Sequence, residues 1–212
     1  APRVAYGARG VNEQLRSCDV VFSTPSHQSP TTVTMPEQRR RDLLRAAQEN
    51  DFVIIEDDYE AETYYDGKPL PALRATDEYN RVIYIGSLSK SLAPGLRLGF
   101  LVGPEPLISE ARALRRLIMR HPPANNQRAA AYFLARGHHE ALLRALVKSN
   151  KKKRDILIKS LSQYLPDWTI APNYGGTSVW LSSPKNIDTK SLAQACVQQG
   201  VIIEPGSIHY AP

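Results

Sequence analysis

A lone lysine, Lys90, stands in the stretch GSLSKSLAPGLRLGF (residues 86–100), with Ser87, Ser89 and Ser91 around it and Arg97 just beyond. A lysine amine that sheds its proton can condense with an aldehyde, whereas the same amine left in water is only a solvated charge. Its neighbours decide between these. Upstream, the run IEDDYEAE carries Asp57, Asp58 and Tyr59. Either carboxylate could face a ring nitrogen and keep it protonated, and a phenol could donate to a ring oxygen. Ser87, Ser89 and the Arg97 fork are the donors a phosphate takes around its oxygens.

These residues need elements that bring them to one place. Four short apolar, β-branched runs occupy the first half: VVFS at Val20, FVIIE at Phe52, VIYIG at Val82 and LGFLVG at Leu98. Runs of this kind fit a parallel sheet covered on both faces. Between the first two lies EQRRRDLLRAAQEN, opened by Pro36, with apolar spacing Leu43, Leu44, Ala47 that suits an amphipathic helix. Strand, helix and strand make a βαβ unit of an α/β domain. In such sheets ligands bind beyond the carboxyl ends of the strands, so the loops after FVIIE and VIYIG should meet on one rim.

From Pro104 the pattern turns helical. PLISEARALRRLIM is followed by NNQRAAAYFLARG, and then by a long helix from about Glu140 to Leu165 that Pro166 stops. The remainder reads as strand (WTIA), Gly175-Gly176, strand (TSVWLS), a helix (TKSLAQACVQQ) ended by Gly200, and a strand (VIIE). The expected architecture is α/β. A large domain with a mostly parallel sheet spans residues 1–138, and a smaller α+β domain spans residues 139–212.

An amine, a ring-facing acid, a phenol and a phosphate clamp on one rim match the needs of pyridoxal phosphate. A nucleotide loop is excluded, because G-x-x-x-x-G-K-[ST] requires glycine where Ser89 precedes Lys90. Cys18 and Cys196 are far apart without metal spacing, and five scattered histidines leave no metal site expected. The chain of 212 residues is 42% hydrophobic and 23% charged, as in globular proteins, and has no apolar run long enough for a membrane span. A cytoplasmic location is expected. The net charge of +6 suggests an acidic partner such as nucleic acid, but KSNKKKR lies in the long helical pattern as a solvated face. Any DNA contact is therefore expected outside these residues.

SLSKSLAPGLRLG resembles the lysine-bearing segment of fold-type-I aminotransferases, and EDDYEAE resembles the aspartate and tyrosine loop that precedes it. Taken in order, TPSHQSPT, IEDDYEAE, GKPLPAL, GSLSKSLAPGLRLGF, YGGTSVWL and GVIIEPGS are similar to the aminotransferase-like domain of MocR-type regulators of the GntR superfamily. The resemblance implies that Lys90 is the Schiff-base lysine and that Ser87 and Arg97 bind phosphate, and Ser89 adds a hydroxyl at the cofactor. By the same pattern Asp57 pairs with the pyridine nitrogen, with Asp58 as its rival, Tyr59 contacts the ring oxygen, and His27 and Gln28 lie near the ring. Thr32 stands where the family loop carries glycine. The chain also ends at HYAP, where relatives continue into a strand bearing an arginine for the ligand carboxylate.

The implied function is an effector sensor. An amine or amino acid would replace Lys90 on the cofactor and so control DNA binding by a winged-helix domain lying before Ala1. The domain is expected to act as a homodimer, with transamination slow or arrested. The alternative is a working aminotransferase, because both need the same residues around the cofactor.

Overall fold

The computed structural model describes residue 15 and residues 18–209. Strand β1 (Val20–Ser23) leads through helix α1 (Glu37–Glu49) to β2 (Val53–Asp58), and β3 (Val82–Ser87) and β4 (Gly99–Val102) complete a four-stranded sheet in the order β1-β2-β3-β4. The first three strands are parallel. β4 runs antiparallel to β3, with Gly86 opposite Phe100 and Ser87 opposite Gly99. The expectation of parallel strands thus fails at LGFLVG: residues 88–98 form only turns and a 3-10 segment, and a parallel return needs a longer crossover, usually a helix. Close approach sets the residues at this pairing. A Cβ on Gly86 would lie 2.2 Å from the Phe100 ring, and one on Gly99 would lie 2.8 Å from the Gly86 carbonyl.

Side chains along β2 alternate between a buried set, Ile54, Glu56 and Asp58, and a partly exposed set, Val53, Ile55 and Asp57. The core gathers on the first face, where Leu44, Ala47, Phe52, Ile54, Leu73 and Val82 cluster with α1 packed over them. Among the described residues the second face is open, and Phe22 is 62% exposed there. Coverage of both faces is therefore not seen in this part of the molecule.

Beyond the sheet come α2 (Glu105–Met119), α3 (Ala124–Ala135), the long α4 (His138–Tyr164), the short antiparallel pair β5 (Thr169–Ile170) and β6 (Leu181–Ser182), and α5 (Thr189–Gln198). The expected strand at VIIE does not form, and Ile202 is exposed. An apolar β-branched run becomes a strand only when a neighbour accepts its backbone hydrogen bonds.

Two buried polar anchors fix the loops around the site. The Glu56 carboxylate accepts from the backbone N–H groups of Leu73 (2.7 Å) and Arg74 (2.9 Å). The Arg40 guanidinium donates to the carbonyls of Met35 (3.1 Å), Pro71 (2.8 Å) and Pro25 (3.0 Å), which ties both ends of the 25–35 loop to α1. Inside that loop Thr32 holds φ 62, a left-handed conformation that glycine adopts freely and a β-branched residue resists. Thr32→Gly should therefore raise the unfolding free energy by about 1 kcal/mol. Comparing urea midpoints of the two proteins checks this, and an unchanged or lower midpoint would contradict it.

Candidate functional site

The site lies at the carboxyl edge of β2 and β3. Register pairs Asp57 with Ile85 and Asp58 with Gly86, and side chains alternate along each strand. Asp57 and Ser87 therefore share one face of the sheet, while Asp58 shares the other with Glu56 and Tyr84. The Tyr84 hydroxyl donates to Asp58 Oδ2 (3.3 Å), and Asp58 Oδ1 is buried without a hydrogen-bond partner. The sequence leaves the two acids as rivals for one role. The pleat sends them to opposite faces, and only Asp57 lies on the same side as Ser87.

Lys90 follows β3 in a turn closed by Leu92 N–H donating to the Leu88 carbonyl (2.9 Å), with the Ser89 N–H on Ser87 Oγ (3.2 Å). Its amine lies 5.4 Å from the centre of the Tyr59 ring and 3.3 Å from Glu60 Oε1. The Lys90 side chain is 52% exposed, so its amine remains accessible. Arg97, exposed and at φ 47, leads from the 94–96 turn into β4 at the same edge.

Electrostatics distinguish the groups. Burial, reinforced by the Asp58 charge, raises the Asp57 carboxyl above its ordinary value, so a cation placed beside it would be welcomed. Burial, with Glu60 and Asp57 adding to it, pushes the Tyr59 phenol up to about 12. Tyr59 is thus a hydrogen-bond donor at neutral pH, and its hydroxyl donates to the His27 carbonyl (3.2 Å). Burial also lowers the pKa of the His27 imidazole, outweighing the pull of Glu60 and Asp58.

The imidazole of His27 packs 5.4 Å from the Tyr64 ring and beneath Gly175 and Gly176. The Gln28 side chain is engaged in its own turn, where Oε1 accepts from Thr31 N–H (3.0 Å). Asp57, Tyr59, Ser87, Ser89, Lys90 and Arg97 thus gather on one edge, whereas the side chains of His27 and Gln28 serve the adjoining loop and its junction with residues 174–177.

Glu60, two residues beyond Asp58 in the same run, has no role among the residues expected at the site from the sequence. Its side chain is only 3% exposed. Besides the Lys90 contact, Oε2 accepts from Thr177 N–H (3.2 Å) and Oε1 accepts from the Thr177 hydroxyl. Its burial continues the alternation of β2, since Ile54, Glu56, Asp58 and Glu60 are every second residue and all four are buried. The 174–177 turn fits tightly here, since a Cβ on Gly175 would stand 2.0 Å from the Thr63 carbonyl and 2.6 Å from His27 Cε1. Gly175→Ala should cost about 1–3 kcal/mol by overpacking. A urea midpoint equal to that of the parent protein would refute that fit.

Residues 8–212 match the model of the aminotransferase class I and II family. The chain belongs to that family. Membership of the class I and II aminotransferases implies pyridoxal phosphate as cofactor. The donor set at the β2–β3 edge fits that group: Asp57 and Ser87 share one face of the sheet, the half-exposed Lys90 follows β3, and Arg97 leads into β4 opposite the end of β3. Among similar proteins, the HTH-type transcriptional regulator TauR of Rhodobacter capsulatus is 41% identical over 91% of this chain and 40% of its own length. Aromatic-amino-acid aminotransferase 1 of Thermococcus litoralis is 34% identical over 95% of this chain and 48% of its own. The solved kynurenine aminotransferase of Pyrococcus horikoshii superposes with TM-score 0.89 at 32% identity, covering 94% of this chain and 51% of that one. The chain thus spans about half or less of these relatives. The TauR match upholds the resemblance to regulators with an aminotransferase-like domain, and the superposition upholds the fold-type-I architecture. No described helix is long and apolar enough to cross a membrane, and no group of three or more metal-ligating side chains is found among the described residues.

Proposed function

We propose that this chain is the effector-sensing, pyridoxal-phosphate-binding part of a transcriptional regulator. The observation that carries the reading is the β2–β3 register, which sets Asp57 and Ser87 on one face, with Lys90 in the turn that follows β3 and its amine beside the Tyr59 ring. When bound, the cofactor supplies an aldehyde that holds a primary amine covalently. Lys90 provides that amine, and Asp57 faces the pyridine nitrogen, whose proton offsets the burial of its carboxylate. Tyr59, kept protonated, donates to the ring oxygen. Ser87, Ser89 and Arg97 hold the phosphate, while His27 and Gln28 border the ring through their loop.

An amine or amino acid effector would take the place of Lys90. A large unit of residues 1–138 and a small unit of residues 139–212 would change their packing, and a winged-helix DNA-binding domain in the same regulator would read that change. A homodimer is the expected assembly. The test uses the full-length protein with cofactor and a fluorescent operator fragment. A set of amines and amino acids is screened for a change in the cofactor spectrum, and those that act are added to the DNA complex. The reading requires a matching change in DNA affinity.

The likeness to Aromatic-amino-acid aminotransferase 1 favours a second reading, a working aminotransferase. In that case Lys90, once released, would move a proton at the substrate carbon. Steady turnover of an amino acid with a keto acid, without any effect on DNA, would decide for the enzyme.

A further inference from the structure

We infer that Glu60 is a positioning residue that receives the amine of Lys90 when it is not bound to cofactor and thereby tightens the seat of the 174–177 turn. The inference rests on the reading of Lys90 as the cofactor-binding lysine. Glu60 is a buried carboxylate held from two sides: Lys90 Nζ lies 3.3 Å from Oε1, and the N–H and hydroxyl of Thr177 donate to the two oxygens. The same turn is tied down by Gly176 N–H on the Thr63 carbonyl (2.8 Å), Tyr65 N–H on the Tyr174 carbonyl (2.9 Å) and the Tyr65 hydroxyl on the Gly176 carbonyl.

A buried carboxylate is costly without a cation, and Lys90 is its ion-pair partner among the described residues. When Lys90 is bound to cofactor that cation is withdrawn. Glu60 then keeps only the Thr177 donors, and the turn loosens. When an incoming primary amine displaces Lys90, the carbon–nitrogen double bond to Lys90 breaks and one to the incoming nitrogen forms. The two protons given up by the incoming amine, with the one carried by the imine nitrogen, would pass to Lys90, which leaves as an ammonium, so protons, charge and electrons balance without an oxidant. The released ammonium returns to Glu60. Occupancy at the cofactor is thereby conveyed to a segment 117 positions away in sequence, which is how a small effector could alter domain packing.

The test is hydrogen exchange at residues 174–178 of the full-length, cofactor-loaded protein before and after hydroxylamine, which captures the aldehyde and frees Lys90. Exchange of the Gly176 and Thr177 amides should slow several-fold once Lys90 is free. In Glu60→Gln, which keeps the size and one acceptor oxygen but loses the charge, the slowing should vanish. Thr177→Val gives a second variant should that one fold poorly, and it too should blunt the response. Loss of the cofactor absorbance band without any change at 174–178 in the parent protein overturns the inference and leaves the functional reading standing. Absence of a band from the start would end both.

Discussion

Lys90→Ala should abolish covalent attachment of pyridoxal phosphate and weaken its retention at least 100-fold, about 2.8 kcal/mol. The bond between amine and aldehyde is the only covalent tie the proposed site offers, and phosphate contacts from Ser87, Ser89 and Arg97 would hold what remains. The substitution also takes the cation from the buried Glu60 carboxylate, so urea unfolding of the variant is followed alongside to separate lost stability from lost attachment. Absorbance of the loaded protein, followed by dialysis of the cofactor, separates the two effects. Retention of the parent spectrum in the variant would contradict the assignment.

Arg40→Met should have the largest effect on stability, about 3–5 kcal/mol. It takes the guanidinium donor from the Met35 and Pro71 carbonyls, leaves Pro25 only the Met35 N–H, and removes the charged hub that joins the three segments. Arg40 is only 3% exposed, and its three carbonyl partners come from segments at Pro25, Met35 and Pro71. Methionine fills similar volume, so the loss reports the hydrogen bonds and not a cavity. The damage should also reach the site, since the 25–35 loop carries the His27 carbonyl to which Tyr59 donates. Urea unfolding followed by circular dichroism measures the loss. A change below about 1 kcal/mol would show that the loop is held by other means.

Much of this was readable in the residues. The apolar runs at Val20, Phe52 and Val82 placed three strands, and the Pro36 start with its Leu43, Leu44, Ala47 spacing placed α1, because local pattern and burial agree there. The long helix expected from about Glu140 to Leu165 is observed at His138–Tyr164. Strand direction was not readable at LGFLVG, since the same apolar pattern serves either polarity and only the shortness of the 88–98 connection decides. VIIE failed for a related reason: its residues have the propensity, but among the described residues no strand pairs with them.

At the site, the sequence offered two aspartates without a way to choose by composition. The strand pleat separates them, and the register with β3 aligns Asp57 with Ser87. Glu60 was missed because nothing within its own run gives that carboxylate a partner. Its burial depends on Thr177, whose approach cannot be foreseen from local pattern.

The most direct test loads the full-length protein with pyridoxal phosphate, fixes the attachment by borohydride reduction and maps the modified peptide by mass spectrometry. The account predicts a single pyridoxyl group, on Lys90. Modification of another lysine in its place, or none at all, would contradict it.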